Sequence, residues 1–117
     1  MKRSTVVLAA CVIVVAAGYF AVQRWRIPTG DAQRGRALYD AKCWVCHETD
    51  NADYRIGPGM KDYYRRTPHR LKDGSEHQHT EEFAREFTRN GSMNMPPQKD
   101  ILTAQELADV MAYLKTL

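Results

Sequence analysis

Residues 43–47 read Cys43-Trp44-Val45-Cys46-His47, and the reading of the whole chain turns on them. Two thiols three positions apart, followed at once by an imidazole, form the C-x-x-C-H signal for covalent haem attachment. On one helical turn each thiol can add to one haem vinyl group, giving two thioether bonds. The next residue, His47, then points its ring at the iron from one face. Other uses of these residues are weaker. A redox-active C-x-x-C dithiol belongs in a βαβ setting, and no such pattern surrounds it. Half of a zinc site needs a second ligand pair, yet Cys11 lies in an apolar amino-terminal run and His77-x-His79 is the only other cluster. A disulfide between Cys43 and Cys46 would close too short a loop to be useful.

Size points the same way. The chain has 117 residues, room for one domain. Once the apolar start is set aside, residues 31–117 remain to fold, near the lower limit of what an apolar core alone supports. A covalently held porphyrin would supply much of the missing core. The composition, 44% hydrophobic and 26% charged, excludes wholesale disorder. The formal charge is +3, but Lys2, Arg3, Arg24 and Arg26 all precede residue 31. The rest is balanced, 13 basic against 14 acidic side chains. A nucleic-acid binder needs a cationic surplus on its folded surface, so no nucleic-acid partner is expected.

Residues 4–23 carry no charge, and at 1.5 Å per residue they span roughly 30 Å, the thickness of a hydrocarbon core. Tyr19, Phe20 and Trp25 cluster at the far end, as at a membrane–water boundary. The expectation is a signal-anchor transmembrane helix over 1–23. It would make the chain a single-pass protein of a bacterial cytoplasmic membrane, with its domain on the periplasmic side. Two alternatives are a cleaved signal peptide and lipidation at Cys11, since Leu8-Ala9-Ala10-Cys11 resembles a lipobox. A linker over 24–30, with Pro28 and Gly30, leads into a domain over 31–117.

That domain reads as all-α. Asp31 is an N-cap, and Gly35, Leu38 and Tyr39 share one face of the helix it starts. Gly35 costs that helix about 1 kcal/mol against Ala, so something must need its missing side chain. Thr80 precedes Glu81 and Glu82, acids suited to a helix start, with Phe83 and Phe87 one turn apart and Asn90-Gly91 as the C-cap. Thr103-Ala104-Gln105-Glu106 is a capping box, followed by the stripe Leu107, Val110, Met111, Leu114. Met60 to Arg66 forms a short helix stopped by Pro68. No strand-like alternation is present.

An iron held by His47 needs a ligand on its other face. Met93 and Met95, in Asn90-Gly91-Ser92-Met93-Asn94-Met95-Pro96-Pro97, offer soft thioether sulfur, and His/Met coordination raises the reduction potential. Pro96-Pro97 stiffens the backbone that aims Met95. His69, His77 and His79 are rivals in principle, but they lie in a polar stretch with no apolar frame and read as solvated loop residues.

With these residues in view, the chain resembles the class I mono-haem c-type cytochromes, in the form of a small bacterial protein with a membrane anchor. The likeness runs from about Gly30 to Leu117. It rests on Gly30-Asp31 with Gly35 and Leu38-Tyr39, on C-W-V-C-H, on Arg55-Ile56-Gly57-Pro58, and on Met95-Pro96-Pro97 with Ala112-Tyr113-Leu114. The resemblance implies a small helical domain wrapped around one covalent haem c. It implies Cys43 and Cys46 as the thioether residues, His47 as proximal ligand and Met95 as distal ligand, with Met93 the alternative. It also implies the Pro58 carbonyl as acceptor of the His47 Nδ1–H, and a tight crossing of first and last helices that sets Gly35 against Tyr113. The stretch from Asp62 to His79 has no counterpart in that likeness. Tyr63 and Tyr64 in it read as surface or core side chains.

The function implied is one-electron transfer by a low-spin haem between redox partner proteins, in a respiratory or periplasmic chain or as a subunit of an oxidase or dehydrogenase. No enzymatic activity is expected. The alternative is a haem enzyme or gas sensor whose distal ligand detaches.

Overall fold

The computed structural model describes residues 3–26, 28–92 and 94–117. Four α-helices are present: α1 (Arg3–Trp25), α2 (Ala32–Lys42), α3 (Glu81–Asn90) and α4 (Ala104–Leu114). Between α2 and α3 lie one 3₁₀ turn (Tyr63–Arg65) and two short strands, β1 (His69–Arg70) and β2 (Glu76–His77).

The helix starts follow the local chemistry. The Asp31 carboxylate accepts from the Arg34 N–H at 2.8 Å. Thr80 accepts from the Phe83 N–H. At α4 the box is reciprocal: Thr103 Oγ1 accepts from the Glu106 N–H, and the Glu106 carboxylate accepts from the Thr103 N–H at 2.8 Å. Each satisfies donors that a helix start leaves without an intrahelical partner. At the end of α3, Gly91 takes φ 70°, a left-handed value that favours glycine.

The core forms where α2 and α3 both pack on α4. Tyr39, Leu107, Val110, Met111 and Leu114 are buried there, joined by Ala84, Met60 and Tyr63. Tyr39 meets Tyr113 edge to face at 5.3 Å between centroids. The α2–α4 crossing is a backbone contact. A Cβ at Gly35 would run into the Asp109 carbonyl, and one at Gly30 into the Ala108 carbonyl. The missing side chain of Gly35 is therefore what lets the helices touch, with Tyr113 Cβ beside it.

A buried carboxylate seals this contact. Asp109, 2% exposed, accepts from the Asp31 N–H at 2.7 Å, from the Arg34 guanidinium at 2.9 and 3.0 Å, and from Gln105 at 3.0 Å. Gln105 also donates to the Thr29 carbonyl. Hydrogen bonding from Arg34 holds the Asp109 carboxyl well below the usual range, at about 2.

Two expectations need correcting here. The first is the single-pass anchor in a bacterial cytoplasmic membrane, with the membrane as partner and the domain on the periplasmic side. Among the described residues no helix is long and apolar enough to cross a membrane. The apolar run from Val6 to Val22 rises about 26 Å, at the lower end of the roughly 17–25 residues that a span uses, and Ser4, Thr5 and Gln23 on its flanks are polar. The second concerns the hairpin. β1 pairs antiparallel with β2, His69 opposite His77 and Arg70 opposite Glu76, where no strand is expected. Two residues are too few for alternation to be read. Asp73 makes the turn, its carboxylate accepting from the Ser75 N–H at 2.9 Å. The helix expected over 60–66 is reduced to the 3₁₀ turn.

Gly35→Ala is expected to lose about 2–3 kcal/mol of stability, despite Ala's better helix propensity, read as a lower urea midpoint. Because the folded pKa of Asp109 lies below its unfolded value of 3.8, its stabilisation is complete above about pH 4 and fades as pH falls towards 2. An acid titration of stability should therefore be flatter in Asp109→Asn than in the unmutated chain.

Candidate haem-attachment site

The site begins where α2 ends. Tyr39's carbonyl accepts from both the Cys43 and Trp44 N–H groups, at 2.8 and 2.9 Å. Cys43's carbonyl then accepts from the Cys46 and His47 N–H groups at 3.1 and 2.9 Å. These bonds wind 43–47 into one tight turn and anchor it to the helix. Tyr39 also donates its hydroxyl to the His47 carbonyl at 2.7 Å, tying the turn to the buried core. Both thiols are free and partly buried. Burial pushes the Cys43 thiol up to about 11, so it is protonated at neutral pH.

His47 is aimed by the segment that follows. Its Nδ1 lies 2.9 Å from the Pro58 carbonyl oxygen, so the ring donates through Nδ1–H and leaves Nε2 as the basic nitrogen. Orientation of this kind is what an axial imidazole requires. The Gly57 N–H donates to the Cys46 carbonyl at 2.9 Å, bringing 57–58 against the turn. There is no room for a side chain: a Cβ on Gly57 would stand 2.5 Å from Cε1 and 2.8 Å from Nδ1 of His47. The loop before it is braced by Glu48, which accepts from Asn51 at 2.8 Å and Arg55 at 2.6 Å. These bonds, Asn51's first, hold the Glu48 carboxyl below its usual range.

Cys43, Cys46, His47 and Pro58 thus form one group. Trp44, Val45, Tyr54 and Ile56 expose apolar side chains beside them, the kind of surface that marks a ligand or partner site. Two free thiols on one turn, a fixed imidazole with an open Nε2 and adjoining apolar surface suit a covalently held haem. Met95 is held separately. It is half-buried in the 91–97 loop, which folds back through the Ser92 N–H donating to the Met95 carbonyl at 2.8 Å and Gln98 donating to the Pro96 carbonyl. Met93 lies outside the described residues.

The sequence reading missed two things. Tyr39 as a support of His47 leaves no signal beyond an aromatic on the core face of α2. His77 and His79 are not solvated loop residues, whereas His69 is exposed. His79 is 7% exposed, and His77 packs against Phe83 and Phe87 at 4.7 and 5.4 Å between centroids. The apolar frame comes from α3 and from Tyr63, not from their own segment.

The family model described as Cytochrome c matches residues 32–117. A "Cytochrome c-553-like" protein of Synechocystis sp. (strain ATCC 27184 / PCC 6803 / Kazusa) is 38% identical over 88 residues, 75% of this chain and 70% of that protein. The structure of cytochrome c6 from the diatom Phaeodactylum tricornutum is similar, with a TM-score of 0.55 and 25% identity over 74% of this chain and 93% of that one.

Gly57→Ala is expected to push the His47 ring off the Pro58 carbonyl. A crystal structure of the variant should show the Nδ1···O separation beyond about 3.5 Å, past hydrogen-bond range.

Proposed function

This chain belongs to the cytochrome c family, and on that premise we propose that His47 and Met95 hold the iron of its haem c from opposite faces, low-spin, for transfer of single electrons between redox partner proteins. The family's members carry one covalently bound haem c and act as electron carriers, not as enzymes. The finer reading, with Cys43 and Cys46 as the thioether residues, is carried by one observation: the His47 Nδ1 contact with Pro58 at 2.9 Å, beside both thiols.

Haem iron supplies a centre that alternates between ferric and ferrous states. The chain's part is positional. Pro58 fixes the tautomer and tilt of His47, and its acceptor strengthens the ring as a donor through Nε2. Tyr39 clamps the His47 backbone to the α2–α4 core, so the ligand does not wander. As a ligand, the soft sulfur of Met95 would favour the ferrous state and raise the potential. With His47 and Met95 both holding the iron, no position would be left for oxygen or peroxide, and a stiff scaffold around them would favour electron transfer over catalysis.

Met95→Ala should open the distal face, allow the reduced protein to bind carbon monoxide rapidly, and lower the potential by at least roughly 0.1 V. Optical spectra with and without carbon monoxide, and a potentiometric titration, read both effects. An unchanged spectrum and potential would remove Met95 from the ligand set.

A further inference from the structure

Three imidazoles gather on the hairpin. His69 and His77 are opposite each other across the β1–β2 pair, and His79 is two residues on from His77, hence on the same face. Their ring centroids are 5.2 Å (His69–His77), 5.3 Å (His69–His79) and 5.0 Å (His77–His79) apart. His79 is 93% buried, and its Nδ1 is a buried nitrogen with no hydrogen-bond partner. Such a group costs stability unless something satisfies it.

We propose that His69, His77 and His79 form a binding site for a divalent transition ion of the zinc class, pinning the hairpin to the domain. The spacing carries the inference. Zinc takes imidazole nitrogen at about 2.0–2.1 Å, which in tetrahedral geometry sets each ring centroid about 3.2 Å from the ion and any two centroids about 5.2 Å apart. All three observed separations lie within 0.2 Å of that value.

The rings do not yet converge. His69 and His77 are stacked, 21° apart in plane, and among the described residues no three His, Cys, Asp or Glu side chains have their donor atoms gathered for an ion. The candidate site is empty. Binding would require the rings to turn about Cβ–Cγ. That axis passes close to the ring centroid, so turning a ring sweeps its nitrogens around while the centroid stays in place. This torsion has a broad, shallow potential in histidine. The Tyr63 hydroxyl, 3.1 Å from His77 Nε2, would have to give way, and so would the backbone hydrogen bonding of His79 to Arg66 and Thr67.

The surroundings suit a ligating cluster. The groups packed around it are Tyr63 at 4.9 Å from His79, Phe83 and Phe87, with His69, itself exposed, and Arg66 acting electrostatically on His79; no carboxylate faces the rings among these contacts. Burial lowers His77 to about 4 and lowers His79 also. A small domain with two-residue strands gains most from a staple of this kind.

The test uses the haem-loaded full chain and Zn²⁺ alone. Equilibrium dialysis with elemental analysis should find one zinc per haem, and His69→Gln, His77→Gln and His79→Gln should each weaken binding by more than about 100-fold, beyond the loss of an outer-shell partner. Haem content and optical spectrum should stay unchanged, which separates this site from the iron ligands. Zinc-edge X-ray absorption on the unmutated protein keeps the test open if a variant fails to fold; three imidazole nitrogens at about 2.0 Å are expected. No bound zinc, binding indifferent to the three variants, or a shell containing sulfur would overturn the proposal.

Discussion

Everything in this domain is registered by the contact of α2 with α4. Where Gly35 meets the Asp109 carbonyl, the two backbones touch without intervening side chains. The contact allows no sliding, because a step along either helix would bring a Cβ into the gap. It fixes the carboxyl end of α2, and the thiol–imidazole turn is a direct continuation of that end. Tyr39 then passes the registration on, with its ring against Tyr113 and its hydroxyl on the His47 carbonyl. The position of the His47 imidazole is thus set by a helix crossing at the far end of α2.

Electrostatics reinforces this crossing more than it stabilises the surface. Asp109 is a buried charge that would be costly alone, but it has an N–H, a guanidinium and an amide as donors. The Arg34 side chain that completes the pair is 60% exposed, so it keeps much of its hydration while the carboxylate loses nearly all. The exposed pairs elsewhere, such as Arg36 with Asp40 at 3.8 Å, contribute little by comparison. On α3, Glu81 holds both Arg85 and Lys115, which ties the third helix to the end of α4.

Legibility in the sequence followed the range of the interactions. Caps act over three residues, so Asp31, Thr80 and the Thr103–Glu106 box could be read directly, and so could the helices they start. The C-x-x-C-H turn is likewise local. Gly35 could be flagged as anomalous in its helix, yet its partner, 74 positions on, needed the fold. The hairpin was illegible because its frame is distant: Phe83 and Phe87 lie on α3 and Tyr63 on the 3₁₀ turn, and only tertiary packing sets them around His77. The reading of residues 4–23 as a span failed for a different reason. Among the described residues no helix is long and apolar enough to cross a membrane, and three of the uncharged positions counted in that span, Ser4, Thr5 and Gln23, are polar.

Size connects these features. Among the described residues ten apolar side chains are buried and only Tyr39 and Met111 of them fully, a thin core for a domain whose helices are only 10 or 11 residues long. Isolated helices of that length are marginal in water, so their order must come from contacts between them. The same shortage acts on the segment between Asp62 and His79, where backbone pairing is limited to two residues per strand and cannot hold a hairpin unaided. Side-chain attachment has to substitute for backbone length in both places. At 43–47 the substitute proposed is covalent, two thiols against a large apolar group. At the hairpin the three imidazoles, spaced as a tetrahedral centre requires, are the groups available to do the equivalent.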